Sequence, residues 1–359
     1  MKLSKDTYFD KFSIKVTLIS FIMSIFVIYI HANNLAYYGI ENDFNSMAYK
    51  IEQVVGSGIG GIAVPFFFMM AGYWFFRFDL DKVNISQIIS TKLKKKIFTL
   101  LIPYVLWNSF GMIFYMLVPR IPIFGGFMNG EAVEINMENT INGIFLHANY
   151  FTFWYLRDLI LLTFLTPFFA IVLKSKKVSI VILIAFSLIE MLGVDLIVFN
   201  TKSSLFFFFS GCFISTFYRD IFERTQNNKV GIISFLIFIL LIVIRLLDIR
   251  IFSEIMYMIS PLFLWFAFDV LQNIKKIRIQ NQLSWFKHQS FFIYAVHIIP
   301  VTIIGKVFLK VRNTNNSQVW IIASYVLVPI ITLLVIYFVA KFLNRYCKRF
   351  YKLICGNRG

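Results

Sequence analysis

Imidazole is the side chain best matched to moving a proton at neutral pH. Two of the four histidines in this 359-residue chain, His31 and His297, stand inside long apolar stretches. Ionisable groups are costly there and are kept for a reason. Few others share that setting: Arg157 with Asp158, Glu190, Asp195 and Asp269.

Spacing groups them further. Ser13, Thr17, Ser20, Ser24, Val27 and His31 recur at alternating steps of four and three, which places a polar stripe on one helical face ending at His31. Trp154, Arg157 and Asp158 stand at i, i+3 and i+4, and Ser290, Tyr294 and His297 at i, i+4 and i+7, each set on one face. The chemistry open to such groups is proton removal by imidazole and stabilisation of negative charge by guanidinium. Plainer roles fit the same residues. Small hydroxyls let helices approach, His31 can reach outward as an interfacial residue, and Trp154, Arg157 and Asp158 can form an interfacial anchor or ion pair. His297 can be a core histidine bonded to a neighbour, and His147 and His288 read as solvated.

The elements that must position these residues are apolar helices. The chain is 59% hydrophobic and 15% charged, against roughly half and a quarter in soluble domains. That excludes a water-soluble enzyme, a disordered chain and a disulfide-rich secreted module. The 44 phenylalanines are expected to face lipid. Ten runs read as candidate spans: 13–33, 57–76, 97–118, 151–173, 178–199, 203–218, 230–247, 251–271, 288–309 and 319–341. With the N-terminus inside, 25 Lys and Arg fall on the cytoplasmic face and eight on the outer face, as the positive-inside rule demands. The sequence therefore predicts an all-α integral membrane protein, a single bundle of about ten transmembrane helices with both termini cytoplasmic. Residues 1–345 read as one polytopic domain and 346–359 as a short basic cytoplasmic tail.

The net charge of +17 follows from that topology, and no soluble segment interleaves aromatic and basic residues as nucleic-acid binding requires. The first apolar run is too long for a cleaved signal peptide. Cys212, Cys347 and Cys355 form neither a disulfide framework nor a metal-ligand spacing, so free thiols and no metal are expected. Gly56, Gly58 and Gly61 match a dinucleotide-binding pattern without its strand, and read as glycines for close helix packing. No zinc-hydrolase, serine-hydrolase or P-loop pattern occurs in the sequence.

Five segments, in order, carry a resemblance. They are Ile28 to His31; Val64 to Tyr73 (VPFFFMMAGY); Lys94, Lys95 and Lys96 leading to Leu101 to Asn108 (LIPYVLWN); Phe153 to Leu159 (FWYLRDL); and Ser290 to His297 (SFFIYAVH). Together they resemble the membrane acyltransferase-3 family, whose members commonly O-acetylate cell-envelope sugars. Two departures stand out: Ser20 occupies the place where many members have an arginine, and Ala71 the place of a usual serine. Lys15, the nearest upstream base, is about 24 Å from His31 along a helix.

The resemblance implies transfer of an acyl group, most often acetyl, from cytoplasmic acyl-CoA (acetyl-CoA) to a hydroxyl of a carbohydrate acceptor in a surface polysaccharide or its lipid-linked precursor. His31 is then the expected base and Arg157 the oxyanion or acceptor ligand. Trp154, Asp158, Tyr294, His297 and Asn108 are expected at the acceptor, and Arg77, Lys94, Lys95 and Lys96 at the coenzyme phosphates. The lipid bilayer is the expected surrounding and nucleic acid is not a partner. A lipid-linked sugar or polysaccharide exporter is the alternative, since polar residues near the midplane suit transport too. A non-catalytic envelope-assembly subunit is a third reading, one that tolerates loss of His31.

Overall fold

The computed structural model describes residues 5–80, 84–117, 120–121, 136–146, 151–194, 199, 203–247, 250–270, 289–311 and 317–356. His147, His288, Asp195 and the basic run 275–278 lie outside them. All regular structure among the described residues is helical, the solution open to a chain that must satisfy its backbone without water. Helix occupies each of the ten apolar runs: α1 (Lys5–His31), α2 (Met47–Phe75), α3 (Ile85–Phe114), α4 (Trp154–Phe164), α5 (Thr166–Val172), α6 (Lys176–Met191), α7 (Ser203–Phe217), α8 (Arg219–Glu223), α9 (Asn228–Leu246), α10 (Arg250–Ala267), α11 (Gln289–Val296), α12 (Ile298–Val311), α13 (Gln318–Tyr346) and α14 (Lys348–Ile354).

Five helical stretches are long and apolar enough to cross a membrane, or seven if the bent pairs α4–α5 and α11–α12 each count as one span. Ser203–Phe217 and Ser253–Ala267 are shorter apolar helices. Large apolar side chains such as Phe235, Leu236 and Leu240 on α9 and Leu334, Phe338 and Phe342 on α13 are exposed on the outside, as lipid-facing surfaces are. The protein is a multi-pass membrane protein. Phenylalanine does more than face lipid, however: Phe66, Phe68, Phe76, Phe153, Phe169 and Phe207 are fully buried.

Three helices begin earlier than hydropathy suggests, α1 among them at Lys5 rather than 13. α2 starts at Met47 rather than 57 because Ser46 Oγ accepts the Tyr49 N–H as an N-cap, and the helix carries Glu52 and Gln53 through a π-helical stretch, Gln53–Ile59. α3 starts at Ile85 rather than 97, with Asn84 capping Gln87, so the Lys92 to Lys96 run rides on helix. Both bends, each 52°, lie beside prolines. Pro167 cannot donate to the Thr163 carbonyl, which instead accepts the Thr166 hydroxyl at 2.6 Å. In the second, His297 occupies the break and Pro300 follows it.

Glycines set the closest packing. A Cβ on Gly72 would strike the Phe208 carbonyl and one on Gly211 the Met69 carbonyl, so α2 and α7 meet backbone to backbone. Of the glycines expected to serve packing, Gly58 receives Ile242, Gly56 faces the Tyr325 hydroxyl and Gly61 faces the Arg245 guanidinium; Gly60, between them, receives Ile30. At the C-terminal end α14 is seated on the bundle: Tyr351 Oη donates to Gln289 Oε1 at 2.6 Å and Trp107 Nε1 to the Ile354 carbonyl at 3.1 Å. Lys15 and Asp269 form an ion pair of 2.6 Å, both side chains buried, and Lys15 also lies over the Trp265 ring.

Candidate functional site

α1 ends at His31. The chain then turns through Asn33 and Asn34 into a single helical turn, Leu35–Tyr38, closed by Gly39 at φ +68°. His31 is half-buried, and its ring centroid lies 5.1 Å from that of the fully buried His297. Residues 266 positions apart in sequence thus share one site, because the break at His297 brings its ring to the end of α1. His297 Nδ1 lies 2.8 Å from the Tyr294 carbonyl and 3.1 Å from that of Ile293. Carbonyls only accept, so the hydrogen-bond network assigns the proton to Nδ1 and leaves the lone pair on Nε2. Nε2 is buried without a hydrogen-bond partner.

A chain of rings leads from this pair to α4. Tyr294 is 6.5 Å from His297, 5.6 Å from Tyr155 and 5.3 Å from Phe153, and its hydroxyl donates to the Thr152 carbonyl at 2.6 Å. Beyond it, buried Tyr104 hydrogen-bonds Asn108 and interacts electrostatically with Arg157 and Asp158. Asn108 and Asp158 are fully buried, while Arg157 and Trp154 are half-buried. The expected residues therefore fall in two groups, His31, His297 and Tyr294 in one, and Arg157, Asp158 and Asn108 around Tyr104 in the other. Phe153 touches both Tyr104 and Tyr294. Tyr104 stands in the LIPYVLWN segment, but nothing in the sequence singled it out as a site residue beside Asn108.

The cations expected at the donor lie at the other end of α2. Arg77 Nε is 2.6 Å from Glu223 Oε1, the oxygen that also accepts the Tyr73 hydroxyl at 2.6 Å, and the guanidinium packs on Trp74 and Phe12. Lys94 and Lys95 are exposed and Lys96 is half-buried. Lys94 lines a cavity of about 590 Å³ between α3 and the bent α4–α5 pair. That cavity shares Ile85 and Lys174 with a second of about 840 Å³, lined also by Asp79, Thr216, Arg219 and Asp220. Arg219 and Glu223 carried no signal of their own, since both sit among the charges of an apparent loop.

Along the α1 stripe the Thr17 hydroxyl donates to the Ser13 carbonyl and that of Ser24 to the Ser20 carbonyl, each at 2.8 Å. These groups are satisfied within their own helix. Above the stripe, a cavity of about 40 Å³ opens beside His31, lined also by Asn33, Asn34, Thr302, Lys306 and Ser324. Among the described residues no group of three or more His, Cys, Asp or Glu could hold a metal ion.

The described residues thus form an all-helical membrane bundle that brings a histidine pair together at the end of its first helix, with a half-buried arginine on its fourth apolar run. A family model described as an acyltransferase domain matches residues 16–347, nearly the whole chain, and the protein belongs to this acyltransferase-3 family. No curated protein and no solved structure matches it.

Proposed function

We propose that the protein is an O-acyltransferase that moves an acyl group, acetyl by expectation, from cytoplasmic acyl-CoA to a hydroxyl of a surface polysaccharide or its lipid-linked precursor. In this reading all ten helical runs cross the bilayer, with the 1–345 domain between cytoplasmic termini and 346–359 as its basic tail. Family membership supports acyl transfer, and the observation that carries the mechanism is the His31–His297 pair beside a cavity.

An alcohol attacks a thioester slowly until a base removes its proton. His31, half-buried at the cavity, takes the acceptor's proton as the oxygen bonds to the thioester carbonyl carbon. The carbon–sulfur bond then breaks, and His31 returns the proton to the departing thiolate. His297, with its tautomer fixed by two carbonyls, packs against the His31 ring and limits the orientations open to it. Arg157 offsets charge on the carbonyl oxygen or orients the acceptor. The neighbouring cavities flanked by Lys94, Lys174 and Arg219 suit the donor's phosphates, because guanidinium and ammonium groups bind phosphate. Arg77 contributes there through Glu223 and the end of α2.

Release of free thiol from acetyl-CoA by the purified protein in nanodiscs with envelope glycans present tests this reading. Wild type is expected to release thiol and His31→Ala to fall to background; equal rates would remove His31 from the chemistry.

A further inference from the structure

Buried polar atoms in folded proteins almost always have hydrogen-bond partners, and each exception asks for an explanation. Three exceptions gather behind the wall of the cavity beside His31: Asn34 Oδ1, Glu52 Oε1 and Tyr325 Oη. Their residues are 8%, 2% and 1% exposed. Glu52 Oε2 accepts the Asn34 backbone N–H at 3.2 Å, and Asn34 Nδ2 donates to Ser324 Oγ at 2.8 Å. Tyr325 follows Ser324 and interacts electrostatically with Glu52. Asn34 and Ser324 line the same cavity as His31, while Glu52 lies behind Asn34, held to its backbone N–H, and Tyr325 is the residue after Ser324.

The local backbone makes room for them. Gly56, four residues after Glu52 on the π-helical stretch of α2, has no side chain, and a Cβ there would lie 3.3 Å from Tyr325 Oη. Tyr29 holds the Tyr325 ring edge-on at 5.4 Å. The ring is thus fixed by packing, while its hydroxyl has been left without a protein partner.

We propose that Asn34, Glu52 and Tyr325 form a hydroxyl-binding subsite beside His31, which recognises a neutral, hydroxyl-rich part of the acceptor next to the hydroxyl that reacts. The inference rests on the acyl-transfer reading above. The donor and acceptor inventory fits such a ligand. An amide oxygen and a carboxyl oxygen receive O–H groups, and a phenol both gives and receives. A carboxyl group and an amide oxygen at one place disfavour a phosphate or carboxylate there. A cavity of about 40 Å³ admits a group of hydroxyl size at Asn34, and the Asn34 side chain has to swing aside for such a group to reach Glu52 and Tyr325. The acceptor's hydroxyls would complete the hydrogen bonds that the protein leaves open.

Tyr325→Phe keeps the ring and removes only the orphaned oxygen, so an empty structural role predicts no loss of stability. The test uses purified protein in nanodiscs, where both faces meet solution, with labelled acetyl-CoA and titrated envelope glycan. Tyr325→Phe is expected to raise the half-saturating glycan concentration about 3- to 10-fold, with half-saturating acetyl-CoA and melting temperature unchanged. Glu52→Gln, read in the same way, is expected to raise it about 10-fold. Unchanged glycan dependence in both variants, or equal shifts for glycan and acetyl-CoA, would overturn the subsite while leaving acyl transfer in place. A wild type that transfers no label from acetyl-CoA to glycan would remove the transfer reading, and the subsite with it.

Discussion

The His31 imidazole lies 5.1 Å, centroid to centroid, from that of His297, whose Nδ1 is engaged by the Tyr294 and Ile293 carbonyls. One histidine is half-buried at a cavity and the other is sealed in the bundle. In the proposed mechanism the first meets substrate and the second sets the orientation of its ring. His297→Gln should lower the maximal rate of transfer about 100-fold, with half-saturating acetyl-CoA unchanged. A rate within threefold of wild type would leave His297 as packing alone.

Lys174 belongs to both cavities at the far end of α2. Charge reversal by Lys174→Glu should raise half-saturating acetyl-CoA about 10-fold through a lost charge-assisted bond to phosphate. The glycan dependence should not move. A shift in glycan dependence instead would place the donor elsewhere.

Lys15 and Asp269 are buried as a pair, and Asp269 Oδ2 also accepts the Gln226 N–H at 3.2 Å. Removing one charge strands the other, so Asp269→Asn should cost about 3–5 kcal/mol of stability, read as an earlier thermal transition in detergent. Lys15→Met combined with Asp269→Leu should recover much of that loss. If the single variant melts like wild type, the pair does not hold α1 to the end of α10.

Gly211 meets the Met69 carbonyl, whereas nothing lies within 4 Å of a Cβ built on Gly305. Gly211→Ala should therefore separate α2 from α7 and reduce the folded yield sharply, by more than about 2 kcal/mol. Gly305→Ala should fold like wild type. Equal yields would mean that the α2–α7 approach is not what fixes the bundle.

The Ser24 hydroxyl is spent on the Ser20 carbonyl and the residue is buried. Ser24→Ala should leave transfer within about twofold of wild type, since a self-bonded hydroxyl has little to offer a passing group. Ser24→Leu, by adding volume to a packed face, should reduce it. A strong loss in the alanine variant would give the Ser24 hydroxyl a direct part in transfer.

Much of the helical order was legible, because apolar runs of membrane length have one local solution. The faces of Tyr294 with His297 and of Arg157 with Asp158 followed from helical spacing alone. What stayed hidden needed partners distant in sequence. Lys15 and Asp269 are 254 residues apart, and nothing local marks them as a pair. Glu52 escaped notice because α2 extends past its hydropathic start, through Gln53, back to its cap at Ser46, and Tyr325 because an aromatic inside an apolar run gives no sign of what its hydroxyl meets. The bends were half legible: Pro167 and Pro300 are visible in sequence, but not that His297 would occupy the second break. Arg77 reads as a loop cation until α8 supplies Glu223.

The central claim is acyl transfer through His31. Inverted membrane vesicles given labelled acetyl-CoA and carrying the cell's own envelope glycans test it most directly, with wild type and His31→Ala at matched expression. The account predicts label in glycan with the wild type alone. Equal label from both proteins would contradict it.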